Sequence, residues 1–156
     1  MVTWSIDKRD WGEGPWIDEP DRVEWRHRDL PCLIVRSDAT GALCGYVGVP
    51  PGHPWCGRGY DEIEASAHGG LTYSNACDPG GPICHEPAPG EPDEVWWVGF
   101  DCSHAYDVSP KIEALVGWAN HRRFGPRVAY RDIAYVTGVV NDLADQALGA
   151  TAQGPS

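Results

Sequence analysis

Short apolar runs separated by turn-forming residues dominate the first two thirds of the chain, and helical periodicity appears only near its end. Residues 33–36 and 43–49 are rich in β-branched and aromatic side chains, and Ser37-Asp38-Ala39-Thr40-Gly41 between them has turn chemistry. This predicts a β-hairpin over 32–49. A third strand is expected near 63–73, where Gly69-Gly70 marks a bulge or a close backbone approach. The run "VWWVGFDCS" predicts a central strand over 95–103, with Trp96 and Trp97 on opposite faces and at least one of them in the core. Ser109-Pro110 followed by Glu113 reads as the start of a helix over 110–123. Ile133, Val136, Val140, Leu143 and Ala147 fall on one face of a second helix, 128–147.

Strands followed by helices define an α+β fold, a small and mostly antiparallel sheet packed by C-terminal helices. Its 156 residues suit a single domain over 21–148. Residues 1–20 form an N-terminal arm tacked to the core by Trp4, Trp11 and Trp16, and residues 149–156 a disordered tail. Residues 50–62 and 74–94 are too rich in Pro and Gly for regular structure. No apolar run approaches the roughly 20 residues of a membrane helix. The N-terminus has no apolar stretch of the kind a secretion signal carries, so the expected location is cytoplasmic and no membrane is involved.

Charge changes the picture most. The net charge is -11, and no Lys or Arg occurs between Arg58 and Lys111. Direct nucleic-acid binding is not expected, because neutralising phosphates requires clustered cations. The segment from His68 to Asp107 instead holds three histidines, three cysteines and seven carboxylates. Such a field attracts metal cations or a basic protein surface, or simply keeps the chain soluble.

Within it, "GFDCSHAYD" places Asp101, His104 and Asp107 three residues apart, directly after the apolar strand. His68, Asp101 and His104 are the candidate metal ligands, since two imidazoles and a carboxylate suit zinc or another divalent metal with one position open to water. Asp107 is the candidate proton carrier, with His53 as a second catalytic candidate or a further ligand. The alternative is a satisfied structural cluster, with Asp101 capping a turn and His104 bonding a carbonyl. Cys77, Cys84 and His85 are candidates for a structural zinc, although C-x6-C-H is wider than the usual ligand spacing. A Cys77–Cys84 disulfide is sterically open, but the expected compartment argues against it. Cys102 belongs to the core by strand alternation. Trp55, Tyr60 and Trp96 are candidate walls of a pocket for a planar ligand. Phosphate-loop, dinucleotide-binding, nucleophile-elbow and deaminase signatures are absent.

The segments "CGYVGVPPGHPWCGRGYD", "HGGLTYS", "WWVGFDCSHAYD" and "YRDIAYVTGVVNDLADQ" resemble small proteins encoded by bacteriophages and prophages, over roughly residues 43–147. The resemblance implies a host-cytoplasm setting and action on host processes, and brings no activity or residue roles. Two functions follow as expectations. One is a metal-dependent hydrolase acting on a small polar or phosphorylated substrate. The other is a non-enzymatic acidic inhibitor that sequesters a basic host protein, such as a defence factor.

Overall fold

The computed structural model describes residues 6–77, 83–84, 95–104, 106–116 and 129–152. Its strands are β1 (Arg22–His27), β2 (Leu30–Arg36), β3 (Leu43–Val49), β4 (Tyr73–Ala76) and β5 (Trp96–Asp101). Two α-helices follow, α1 (Pro110–Val116) and α2 (Ile133–Ala152), and single 3-10 turns occur at Pro15–Ile17 and Tyr60–Glu62. The five strands make one sheet in the order β1-β2-β3-β5-β4, and every pairing is antiparallel. The α+β architecture expected from the sequence is the one observed.

Period-two alternation divides the apolar residues between the two faces of this sheet. Cys32 and Ile34, Leu43, Val47 and Val49, and Val98 and Phe100 share a core with Val136, Val140, Leu143, Ala144 and Ala147 of α2. Leu33, Val35, Tyr46 and Trp97 point the other way, into a second cluster with Val95. Trp97 is therefore core, while Trp96 packs from the α2 face. Full burial of Val136, Val140 and Leu143 contributes about 1.5–3 kcal/mol for each side chain. Gly45 lets the helix settle this closely, because a Cβ there would lie 2.5 Å from Val140 Cγ2. The α2 stripe matches the periodicity of the sequence, but the helix begins at Ile133 and runs through Ala152, past the expected tail boundary. Among the described residues no helix is long and apolar enough to cross a membrane. Residues 117–128, His85 and the chain beyond 152 lie outside the described residues.

Two strand expectations need correction. β1 is an extra strand, joined to β2 by Arg28 and Asp29, both at positive φ (50° and 72°). A two-residue turn of this kind normally carries Asn or Gly, which hid it from sequence reading. Conversely, 63–73 is no strand, and pairing starts only at Tyr73. Ile63, Ala65 and Ala67 do alternate toward the core, but the backbone there finds a different partner. The Gln146 side-chain amide of α2 accepts from Ser66 N–H at 2.7 Å and donates to Ser66 O at 2.8 Å. A glutamine thus substitutes locally for a neighbouring strand.

The N-terminal arm is built into the domain. Trp11 and Trp16 pack with Val108, Ile6 and Tyr130, and a buried ionic network lies beside them. Arg36, 1% exposed, donates from Nε to Asp21 Oδ1 at 2.7 Å and from Nη1 to the Tyr130 hydroxyl at 2.8 Å. Lys8 Nζ lies 2.7 Å from the same Asp21 oxygen. Tyr130 donates to Glu19 Oε1, and Glu19 Oε2 accepts the Ile133 N–H at 2.8 Å, capping α2. Burial works against the Asp21 anion, but the bonds from Lys8, Arg36 and Ile6 N–H outweigh it and hold its pKa below the usual range. This network fixes where residues 130–135 begin, and with them one wall of the candidate site.

His53 belongs to the core as well. Its Nε2–H donates to Ala147 O at 2.8 Å, and its Nδ1 accepts the Trp55 N–H at 3.0 Å, so no lone pair is left for a proton. Burial lowers its pKa, with the Ala147 carbonyl opposing. As pH falls, the unfolded chain therefore takes up this proton first. Stability should be complete above about pH 6.5 and decline as pH drops through that value toward the lower folded pKa. In His53→Gln this part of the decline should vanish from urea-unfolding midpoints measured between about pH 7.5 and 5; an unaltered slope would contradict the assignment.

Candidate metal centre

Asp107, His104 and His68 meet where the chain leaves β5 and passes the start of α2. Asp107 N–H donates to His104 O at 2.9 Å, closing a turn that aims the Asp107 carboxylate back at its own loop. A parallel bridge between Asp107 and Ala129 lays the chain entering α2 alongside it. His68 arrives from the opposite side on a turn ended by Gly69 and Gly70, both at positive φ. A Cβ on Gly69 would lie 2.3 Å from His104 Cε1, so only glycine lets this turn approach the ring. The close approach expected at Gly69-Gly70 is real, but it occurs in a turn and not in a strand.

The Asp107 side chain has no exposed surface and is surrounded by donors. His104 N–H reaches Oδ2 at 3.0 Å, and Arg131 Nε reaches Oδ1 at 2.9 Å. His68 Nε2 lies 2.8 Å from Oδ1, and His104 Nδ1 lies 3.2 Å from Oδ2. Burial favours the neutral acid, yet the bonds from Arg131, the His104 backbone and His68 prevail and keep the carboxylate ionised well into acid.

The distal nitrogens face further polar groups, one within hydrogen-bond reach and one at ion-pair distance. His68 Nδ1 lies 2.8 Å from the Tyr135 hydroxyl, and His104 Nε2 lies 3.5 Å from Asp101 Oδ1. A carboxylate accepts only, so without a metal each imidazole directs an N–H at Asp107. A cation between the rings and Asp107 reverses the pattern. The inner nitrogens then present lone pairs to the ion, and the outer N–H groups face Tyr135 and Asp101, the acceptor arrangement common behind ligating histidines. One nitrogen from each imidazole and one Asp107 oxygen lie within 4.8 Å of one another, so the three residues can hold a metal ion.

The candidates from sequence are thus partly regrouped. His68 and His104 converge as expected. Asp107, expected to be the proton carrier, occupies the central position expected of Asp101 in the group that could hold a metal ion, and Asp101 stands behind His104. His53 contacts Ala147, twelve residues and about 18 Å along α2 from Tyr135, and has no place in the centre. Cys77 and Cys84 are joined in a disulfide, which leaves neither sulfur for a structural zinc, and His85 lies outside the described residues. Trp55 is buried in the core and has no face left for a ligand, Tyr60 is half exposed, and the partly buried Trp96 donates from Nε1 to Ser74 Oγ at 2.7 Å. Cys102 is core, and burial raises its thiol pKa. Sequence reading missed Arg131 and Tyr135, which carry no motif and enter through the bridge at Ala129 and the first turn of α2.

Beside the centre opens a groove of about 460 Å³, lined by small and apolar residues, with His68, Tyr135 and Asp142 as its larger polar groups. Fold and site together define an open antiparallel α+β sheet with a two-histidine, one-carboxylate cluster at one end of its covering helix. No family model, curated protein or solved structure matches the chain.

Proposed function

We propose that this protein is a small metal-dependent hydrolase whose ion is held by His68, His104 and Asp107. The observation that carries the proposal is the convergence of two imidazole nitrogens and a buried carboxylate oxygen within 4.8 Å, with an acceptor behind each imidazole. Two nitrogens and one oxygen suit zinc, which takes three protein ligands and one water in hydrolytic sites. When bound, such an ion brings the pKa of its water to about 7 and supplies hydroxide at neutral pH. Asp107 contributes the compensating negative charge, and Asp101 and Tyr135 orient the rings. The groove adjoining His68 supports the reading that a small substrate binds next to the centre.

Elemental analysis of the purified protein tests this directly. One equivalent of zinc or a similar metal is expected in the wild type and none in His68→Ala or His104→Ala. Zinc-loaded protein should hydrolyse 4-nitrophenyl phosphate, and EDTA should abolish the turnover. A folded wild type that neither contains nor takes up a divalent metal would rule the centre out.

A further inference from the structure

Resting on the hydrolytic reading of this centre, we propose that Arg131 is the substrate anchor and that its ligand is an oxyanion, a phosphate or carboxylate group carried by the substrate. Among the described residues Arg131 is the Lys or Arg side chain that the fold brings against the cluster, whose own side chains are histidines and carboxylates. It is held on two sides. Nε donates to Asp107 Oδ1 at 2.9 Å, and the guanidinium carbon lies 5.0 Å from the centroid of the Tyr135 ring. Tyr135 is itself tied to His68, so the guanidinium is fixed relative to both imidazole and carboxylate.

These contacts use one N–H of the five that a guanidinium offers. Its two terminal nitrogens have no acceptor among the described residues, and the side chain remains 23% exposed. Neutralising Asp107 would require only a charge, which a lysine could supply. A planar fork held over a ring, with its two terminal nitrogens unused among the described residues, is suited to two oxygens of one anion. Because the stack fixes that edge before the anion arrives, little side-chain freedom is lost on binding. The anion would then sit next to the ligand cluster, placing the bond to be cleaved near the metal-bound water.

Inorganic phosphate titrated into EDTA-treated protein, followed by 31P NMR, separates this contact from the metal. The wild type is expected to bind phosphate, and Arg131→Gln to raise the dissociation constant by about tenfold or more, the effect of losing a hydrogen bond to a charged group. Glutamine leaves Asp107 without its counter-charge, so Arg131→Lys is measured in parallel with circular dichroism. Lysine keeps the charge but not the fork, and its affinity should fall below that of the wild type. Absence of phosphate binding in the wild type, or equal affinity in a folded Arg131→Lys, overturns the assignment. Binding that appears only after zinc loading, and equally in Arg131→Gln, also overturns it while leaving the metal centre standing. Arginine-dependent binding in a protein that takes up no zinc supports the anchor and defeats the hydrolase.

Discussion

Asp107→Asn should abolish stoichiometric zinc binding and weaken the metal-free fold by about 3 kcal/mol. Both effects come from one carboxylate. Asp107 is the only acceptor shared by His68, His104 and Arg131 among the described residues, and its side chain is wholly buried. An asparagine of the same size offers one oxygen to these donors and turns an NH2 group toward another of them. Arg131, itself only partly exposed, is left without its opposing charge, and His68 and the His104 N–H lose a wholly buried anionic acceptor, so removing this one member of the cluster is costly. Zinc affinity should fall by more than the roughly 10–100-fold that accompanies loss of an outer partner. Asp101→Asn, which removes only the charge behind His104, should remain inside that range. Zinc calorimetry and urea unfolding of the EDTA-treated proteins measure the two effects separately. Wild-type zinc affinity in Asp107→Asn would remove the carboxylate from the centre.

The second large effect is expected far from any chemistry. Arg36→Met should cost about 3–5 kcal/mol in urea unfolding. The methionine fills part of the volume, but Asp21 keeps only Lys8 as a cationic partner, and Glu19 and Tyr130 lose the guanidinium between them. Glu19 also caps Ile133, so the loosened carboxylate frees the N-terminal turn of α2. Because Arg131 and Tyr135 sit at that turn, thermal protection by zinc should shrink in the same variant. Arg36→Met with unchanged stability would show that the network is dispensable to the fold.

Much of the architecture could be read directly. The β-branched runs of β2 and β3, the apolar β5 and the 3.6-residue stripe of α2 each state their own burial, because one buried face imposes one period. The failures share a cause. β1 was concealed by a turn of Arg28 and Asp29, whose left-handed backbone is tolerated in the folded hairpin without the usual residues. Residues 63–67 show strand-like alternation because they line the core, yet the Gln146 amide of a distant helix satisfies Ser66. Alternation reports which side chains are buried. It does not report what the backbone bonds to.

For the centre, the chain alone identified the residue types, two histidines and an aspartate beside a glycine pair, and the region holding them. Which aspartate joins the two imidazoles was decided in three dimensions. Asp101 and Asp107 are each three residues from His104, but only Asp107 is turned inward by its bond to His104 O and enclosed by the strand-like passage at Ala129. Arg131 and Tyr135 reach the cluster for the same reason, and His53 is excluded because it is engaged at the other end of α2. Hydrophobic periodicity is a local property repeated over many residues. Ligand convergence depends on a few atoms from remote segments meeting within a few ångströms, and it exists only once the sheet order and helix placement are complete.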